Sequence, residues 1–488
     1  MAGFGLALAW PNSTVLGAND RIRVGVVGVG GKGKSHLKAY SAASEIPDTA
    51  VTAICDIDQG VLDGAVVRYS EEQGMKVKGY DDMRHMLEED VIDVFTTATP
   101  NHWHSLAGIW AMQAGKDAYI EKPVSHNVWE GRKLVEAARK YERICQGGTQ
   151  SRSMATIQRA VEQVQSGTYG EIQYVKGLCY KMRASIGQVG PEGAAIPNDV
   201  DYDQWCGPAP MEDPVRRKRF HYDWHWFYEY GNGDMGNQGI HQMDVARWFL
   251  GESGLSPRVI SIGGRLGYED DGETPNSQVV YHAYEKAPLI FETRGLPRDL
   301  AGRENWSKSM DVPEEFPEER GIAVVVVCEQ AKIYCSATGT VKIVDGDGAL
   351  IEEMDREEND KQAIFSNFID AVRGRKPEIL FSDVEETHVS SALCHTGLIS
   401  HRLGKKMTRK QTEAELEGAG LMEERFQALA EHLERNEVDL ESQVLRVGPW
   451  LEMDPDREEF VGNGNLDGPA NELARRVYRD PYVVPETV

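Results

Sequence analysis

Positive charge is what this chain has too little of: 53 Lys and Arg stand against 78 Asp and Glu in 488 residues, a formal net charge of −25. Gripping a phosphate backbone takes Lys and Arg clustered on one face, so the deficit argues against nucleic acid as a partner. The one basic run, Arg216-Arg217-Lys218-Arg219, is short and followed by aromatics, and it reads as a solvated turn or an interdomain contact. Long apolar runs are scarce as well. Ala2 to Trp10 is far too short to span a bilayer, which argues against membrane insertion. Cysteine is sparse and scattered: Cys55, Cys145, Cys179, Cys206, Cys328, Cys335 and Cys394 are odd in number and lack CxxC spacing. That excludes a disulfide framework and a cysteine zinc ribbon, and it predicts buried, reduced thiols. No internal repeat is present, which excludes a solenoid.

What remains is an ordinary globular composition, 41% apolar and 27% charged, in a chain too long for one compact core. Its most informative stretch is Arg21 to Gly33. Ile22, Val24, Val26 and Val27 read as a buried strand, and Gly28-x-Gly30-x-x-Gly33 follows at once, leading into a helical run from Lys34 to Tyr40. Backbone N–H groups can hold a phosphate only if the chain turns sharply, keeps side chains away and aims a helix N-terminus at the anion. Gly28 permits the turn, Gly30 and Gly31 the close approach, and Gly33 the packing of helix on strand. A second apolar run, Val51 to Ile54, leads to Asp56, 23 residues past Gly33, where a carboxylate would accept hydrogen bonds from an adenosine ribose. Asp56 also repels a 2′-phosphate, so NAD is favoured over NADP, although Lys32 and Lys34 leave the second open.

The alternation of strand and helix continues to about residue 148: helices over Val61 to Gln73, Met83 to Glu88 (capped by Asp81-Asp82), His102 to Ala114 and Val128 to Tyr141, and strands at Val77 to Tyr80, Val91 to Thr97, Asp117 to Ile120 and Ile144-Cys145. This is the pattern of a doubly wound parallel sheet over residues 21–148. One helix, about Ser153 to Ser166, then precedes β-rich segments (Ile172 to Tyr180, Val259 to Gly267, Gln278 to Tyr284, Leu289 to Gly295, Ile322 to Glu329, Lys332 to Cys335) and helices at Lys361 to Val372 and Val384 to Leu403. They predict an α+β domain over 149–404 with a large, mostly antiparallel open sheet, whose free face suggests a homo-oligomer, dimer or tetramer. Residues 405–488 read as a charged extension, with one exposed helix from Glu413 to Arg435 and a surface arm. Residues 1–20 read as a leader remnant or a flexible tail.

Two constellations could carry chemistry. Tyr119-Ile120-Glu121-Lys122-Pro123 falls just beyond a strand's carboxyl end, where a doubly wound sheet places ligands. A lysine there suits proton exchange with a hydroxyl losing hydride, and the proline after it could bring a cis bond. In Gly231 to Trp248, Asn237, His241 and Asp244 share one helical face, and His241 could hold or deprotonate a hydroxyl. His221 to Tyr228 mixes aromatics with polar groups, as sugar pockets do; His225 belongs to it, and Tyr180, Lys181, Arg183 and Arg294 could line the same pocket from the sheet. Two histidines and an aspartate without a fourth ligand argue against zinc, so no metal is expected. His388 and His395, seven apart, read as interior packing.

In Gly28 to Gly33, Asp56, Thr99-Pro100-Asn101-His102-Trp103-His104, Glu121-Lys122-Pro123 and Gly239-Ile240-His241-x-x-Asp244-x-x-x-Trp248, the chain resembles the Gfo/Idh/MocA oxidoreductases over roughly residues 20 to 404. The resemblance implies a Rossmann domain binding NAD through these glycines, Asp56, Thr99, Asn101, His104 and Glu121. It also implies a catalytic Lys122 partnered by His241, and a carbohydrate or polyol substrate. Many members have an aspartate where this chain has Asn237, and asparagine can hold a sugar hydroxyl but cannot relay a proton; Asp234 or Asp244 could compensate. Three functions follow: an NAD-dependent oxidoreductase on a sugar, polyol or glycoside; a redox-neutral glycosidase or lyase with tightly held NAD; or a non-catalytic NAD and sugar sensor. Members with a twin-arginine export signal ahead of a similar Gly-Ala-Asn-Asp-Arg-Ile-Arg segment imply a periplasmic protein, the alternative being cytoplasmic.

Overall fold

The computed structural model describes residues 21–42, 44–305, 309–356 and 362–488; the stretch read as a leader or tail lies outside them. Six strands, β1 (Ile22–Val27), β2 (Thr49–Cys55), β3 (Lys78–Tyr80), β4 (Val94–Thr97), β5 (Asp117–Ile120) and β6 (Cys145–Gly147), form one parallel sheet in the order β3-β2-β1-β4-β5-β6. Val24 and Val26 are wholly buried because helices cover both faces, which is why β1 reads as an unbroken apolar run. The order reverses between β1 and β4, and the crevice outside the carboxyl ends at that reversal is where such sheets bind ligands. Three crossover helices start on side-chain caps, the one at Asp82 as expected: Asp58 accepts from Val61 N at 3.0 Å, Asp82 from Arg84 N at 2.8 Å and Asn127 from Glu130 N at 2.9 Å.

The second sheet is mixed but mostly antiparallel. Its main path runs through β7 (Ile172–Cys179), β8 (Arg258–Gly264), β9 (Ser277–His282), β10 (Leu289–Arg294), β11 (Ile322–Cys328), β12 (Ala331–Ser336), β13 (Val341–Asp345), β14 (Leu350–Met354), β15 (Lys405–Met407) and β16 (Leu445–Val447). Their order is β14-β13-β12-β11-β7-β10-β9-β8-β16-β15, and only β7 and β10 pair in parallel. Period-two alternation sorts the side chains. Val175, Val280, Phe291 and Val324 face the helices Ile240–Leu250 and Val384–Leu403, and Ile260, Ile262, Val279 and Ile290 face the other way.

That other face departs from expectation. Glu413 to Arg435 is not one exposed helix. Gly418 and Gly420, both at positive φ, separate Arg409–Glu415 from Leu421–Arg435. The second helix buries Met422, Phe426, Leu429 and Leu433 against the outward-facing residues of β8, β9 and β10. Its surface charges had hidden an apolar stripe at helical spacing. Over these strands the sheet is therefore closed by the chain itself, and assembly through that half would require the helix to leave. The arm also departs from a simple surface strap: after the helix Asp467–Leu473 it crosses to the first sheet, where Tyr482, Val484 and Val488 enter the core with Trp103 and Leu134. All seven cysteines are buried and unpaired. No helix among the described residues is long and apolar enough to cross a membrane.

Candidate functional site

A cavity of about 520 Å³ opens over the carboxyl ends of β1, β2 and β4 and runs to the end of β5. At its floor the turn after β1 behaves as the glycines require. Gly28 sits at φ +78°, and a Cβ on Gly33 would come within 2.1 Å of the Gly28 carbonyl oxygen. Above Gly30 and Gly31 the space is open, so the turn presents bare backbone to the cavity. Asp56 stands beside it: its carboxylate accepts from Val29 N at 2.7 Å and from Asp58 N at 3.0 Å, while burial raises its pKa above the usual carboxylate range. A bare glycine turn, a helix N-terminus and a carboxylate at the end of β2 together fit the pyrophosphate and ribose of a dinucleotide.

At the other end, β5 delivers Glu121 and Lys122. The Glu121 carboxylate is buried and meets His36 Nε2 at 3.1 Å and Lys32 Nζ at 3.7 Å. Burial opposes its charge, but Lys32 and His36 hold the carboxyl well below its ordinary range. Lys122 precedes a cis proline, and its Nζ donates to the Asn237 carbonyl oxygen at 2.6 Å, so the amine is held at the junction of the two sheets' territories. Burial pulls that amine down to about 8, against Glu121, which favours its charge. His104 spans Pro123 O at 2.6 Å and Thr99 O at 2.8 Å, bracing the loops after β4 and β5; burial lowers its pKa.

The second domain supplies the far wall. The Trp224 and His225 rings stack with centroids 3.6 Å apart, and burial takes His225 down to about 3, a neutral ring. Arg183 holds Asp234 with its Nε and Nη2, at 2.9 and 2.6 Å from Oδ1, and lies 4.9 Å from the Trp226 ring centroid. Lys181 Nζ approaches Gln238 Oε1 at 3.4 Å. His221 Nε2 meets Asp58 at 3.1 Å, tying the wall to the end of β2.

The expected site residues separate into two sets. Gly28, Gly30, Gly31, Asp56, Thr99, Asn101, His104, Glu121, Lys122, His225 and Asn237 line the cavity. Gly33 packs beneath the turn, Arg183 and Asp234 pair with each other, and Lys181 approaches Gln238; none of these four expected residues is among the lining residues. His241 is half-buried in the first turn of Ile240–Leu250, four residues past Asn237, and is not among the lining residues. A π-type turn over Met235–Gly239 displaces the helical register that had put Asn237, His241 and Asp244 on one face. Asp244 is fully buried against Arg152 Nε at 2.9 Å and Ser390 Oγ at 2.7 Å, a structural ion pair. Tyr180 and Arg294 sit on the opposite face of the large sheet, both bonded to Glu292, because β7 and β10 alternate and these two positions point outward. In the basic run, Arg217 is no solvated turn: it is wholly buried, its guanidinium 3.9 Å from the Trp205 ring centroid. His388 and His395 do pack inside, on Glu458 and Ser125.

Sequence reasoning missed a second role for the Thr99 to His104 motif and several residues of the cavity wall. Asn101 bonds Asn232 at 2.9 Å, and Trp103 Nε1 donates to the Gln204 carbonyl at 3.0 Å, so this motif docks the second domain as well as lining the cleft. Arg84 and Gln204 line the cavity. So does Tyr482, 454 residues beyond Gly28 in the chain, and no local pattern marked it.

A parallel six-stranded sheet with a glycine-turn crevice, joined to a mixed sheet that walls it, defines a dinucleotide-binding oxidoreductase architecture. Residues 22–149 match the description "Oxidoreductase family, NAD-binding Rossmann fold" and residues 155–295 match "Oxidoreductase family, C-terminal alpha/beta domain". Together these span more than half of the chain, which belongs to the Gfo/Idh/MocA oxidoreductase family, and its cofactor is NAD. Among curated relatives, a glycosyl hydrolase family 109 protein of Saccharopolyspora erythraea is 29% identical over 164 residues, and one of Shewanella baltica is 31% identical over 173. These alignments cover 33% and 34% of this chain and 35% and 37% of the relatives, so the chain matches only about a third of their length. In fold it is similar to the WlbA dehydrogenase of Bordetella pertussis, solved with NADH and UDP-GlcNAcA (TM-score 0.52, 20% identity, 76% of this chain and 94% of that one). A Thermotoga maritima oxidoreductase is also similar (TM-score 0.54, 19% identity, 77% and 97%).

Proposed function

We propose that this protein is an NAD-dependent enzyme acting on a sugar, polyol or glycoside, with Lys122 exchanging the proton of the reacting hydroxyl. The observation that carries this is the Lys122 amine, seated on the Asn237 carbonyl at the far end of a cleft that begins at the glycine turn. When bound, the nicotinamide accepts hydride from a carbinol carbon. The chain's task is then to take the hydroxyl proton, and an amine poised near 8 loses and regains one readily at neutral pH. Asn237 orients a neighbouring hydroxyl, the Trp224 and His225 pair offers a flat face to a sugar ring, and His241 assists from one turn further along. Asp234, occupied by Arg183, positions rather than relays.

A redox-neutral glycosidase is the second reading, supported by the likeness to glycosyl hydrolase family 109 proteins. In it a hydride would pass to bound NAD and later return; the neighbouring C–H proton lost as the aglycone leaves would be regained when water adds at the anomeric carbon, and Lys122 would take the hydroxyl proton and give it back. Export, implied by the resemblance, would favour this scheme, since fresh NAD is scarce outside the cytoplasm. A sensor would bind NAD and turn nothing over. The protein is denatured and its supernatant assayed for NAD(H), and the native protein is offered free sugars and aryl glycosides. Reduced nicotinamide accumulating with a free sugar supports the dehydrogenase; aryl release without it supports the glycosidase. Bound NAD with neither overturns both in favour of the sensor.

A further inference from the structure

The C-terminal arm reaches the nucleotide cleft from outside both sheets. Tyr482 is buried, lines the cavity, and lies 5.4 Å from both the Arg84 guanidinium and the Trp103 ring centroid. Its hydroxyl donates to Asp203 at 3.2 Å, and Arg479 pairs with the same carboxylate while its Nη2 donates to the Asp203 carbonyl at 2.6 Å. Asp203 and Gln204 belong to a segment of the second domain whose Gln204 also lines the cavity and whose backbone accepts from Trp103. The wall is thus held on one side by the first sheet's domain and on the other by the arm. The arm itself is anchored where Trp129 N donates to the Ala474 carbonyl at 3.1 Å and where Lys140 bonds the Val488 carbonyl.

The location within the cleft follows from the sheet. By the usual order of such sheets Asp56 would meet the ribose, and the base would lie beyond it toward Asp82, Met83 and Arg84, which line the same cavity. We propose that the arm is a built part of the dinucleotide site: Tyr482 closes the adenosine end, and with Arg479 it pins the Asp203–Gln204 wall, so that NAD is retained between turnovers. This inference rests on the dinucleotide reading of the cleft. It gives the extension beyond the two domains a role in cofactor residence, with release requiring the arm's contacts to part.

The test uses the full-length protein loaded with labelled NAD and chased with unlabelled NAD. Loss of aromatic contact with a base corresponds to a dissociation rate roughly tenfold faster for Tyr482→Ala. ADP-ribose should leave faster by the same factor, while the affinity for nicotinamide mononucleotide, which has no adenosine end, stays unchanged. Tyr482→Phe keeps the ring and loses only the Asp203 bond, so its rate falls between the two. Should Tyr482→Ala not fold, Tyr482→Phe and Arg479→Ala carry the test, each expected to release NAD faster than the wild type. Folded variants releasing NAD at the wild-type rate overturn the arm's role and leave the dinucleotide site standing. An equal loss for nicotinamide mononucleotide also overturns it, because the effect would then not be confined to one end. A wild-type protein that binds neither NAD nor ADP-ribose overturns both readings.

Discussion

Two clusters of buried charge, one in the second domain and one at the end of β5 in the first, are built to opposite ends. Beneath the helix Leu421–Arg435, Glu292 is flanked by Tyr180 at 2.7 Å and Arg294 at 2.9 Å; Arg294 meets Asp311 at 2.7 Å, and His432 meets Asp311 at 3.1 Å. Against the cost of burial, His432 and Arg294 hold Asp311 far below its ordinary range; the helix covers the set, although Arg294 and Asp311 also border a cavity of about 350 Å³. At the cleft, Glu121 is equally buried and compensated, but the amine beside it donates to the Asn237 backbone carbonyl, has a lowered pKa and borders the larger cavity over the glycine turn. Mutual satisfaction makes a charge cluster rigid and inert; an amine kept near its titration point and open to a ligand can do chemistry.

The contrast predicts that the two clusters fail differently. Lys122→Ala should lower turnover by roughly 10²- to 10⁴-fold, the usual worth of a positioned proton carrier, with the melting temperature and bound NAD essentially unchanged. Turnover surviving intact would remove Lys122 from the mechanism. Arg294→Ala should do the reverse. Stranding Glu292 and Asp311 costs about 3–5 kcal/mol of stability, read by urea denaturation, while KM below the unfolding range holds steady. Phe426→Ala should cost about 3 kcal/mol by the same measurement, through the cavity it leaves between helix and sheet, and self-association seen only in this variant would show that the helix blocks an interface. The mildest effect is on pH. A hydroxyl gives its proton only to the neutral amine, so below about 8 the oxidation rate should climb up to tenfold per pH unit and level off above it. A flat profile from pH 6 to 9 would contradict an amine of that pKa as the base.

Much of the first domain was legible because its signals are local. Gly28, Gly33 and Asp56 state a backbone requirement and a partner within the first strand-turn-helix-strand run, and the cap at Asp82 does the same over two residues. The helix Val384–Leu403 matched its expected bounds because neighbouring turns repeat one pattern. Legibility failed where a side chain's meaning depended on a distant surface. Tyr180 and Arg294 carry the right chemistry for a sugar pocket, but strand parity sends them to the other face. Asp244 sits at helical spacing from a histidine, yet its partner is Arg152, 92 residues away. Leu421–Arg435 looked solvent-facing by charge because the apolar stripe it covers lies on β8 to β10.

Spacing and residue type were therefore enough to specify a parallel nucleotide sheet, its glycine turn, the carboxylate at the end of β2 and a lysine at the end of β5. Backbone conformation and short-range hydrogen bonds favour the turn and the strand ends locally, and pairing of β1 with β2 and β4 assembles them. Which face each strand shows, which charges are silenced in pairs, and that residue 482 returns to wall the cleft opened by residue 28 were settled by packing. Burying apolar surface selects partners by shape and area, and linear order carries no record of that choice.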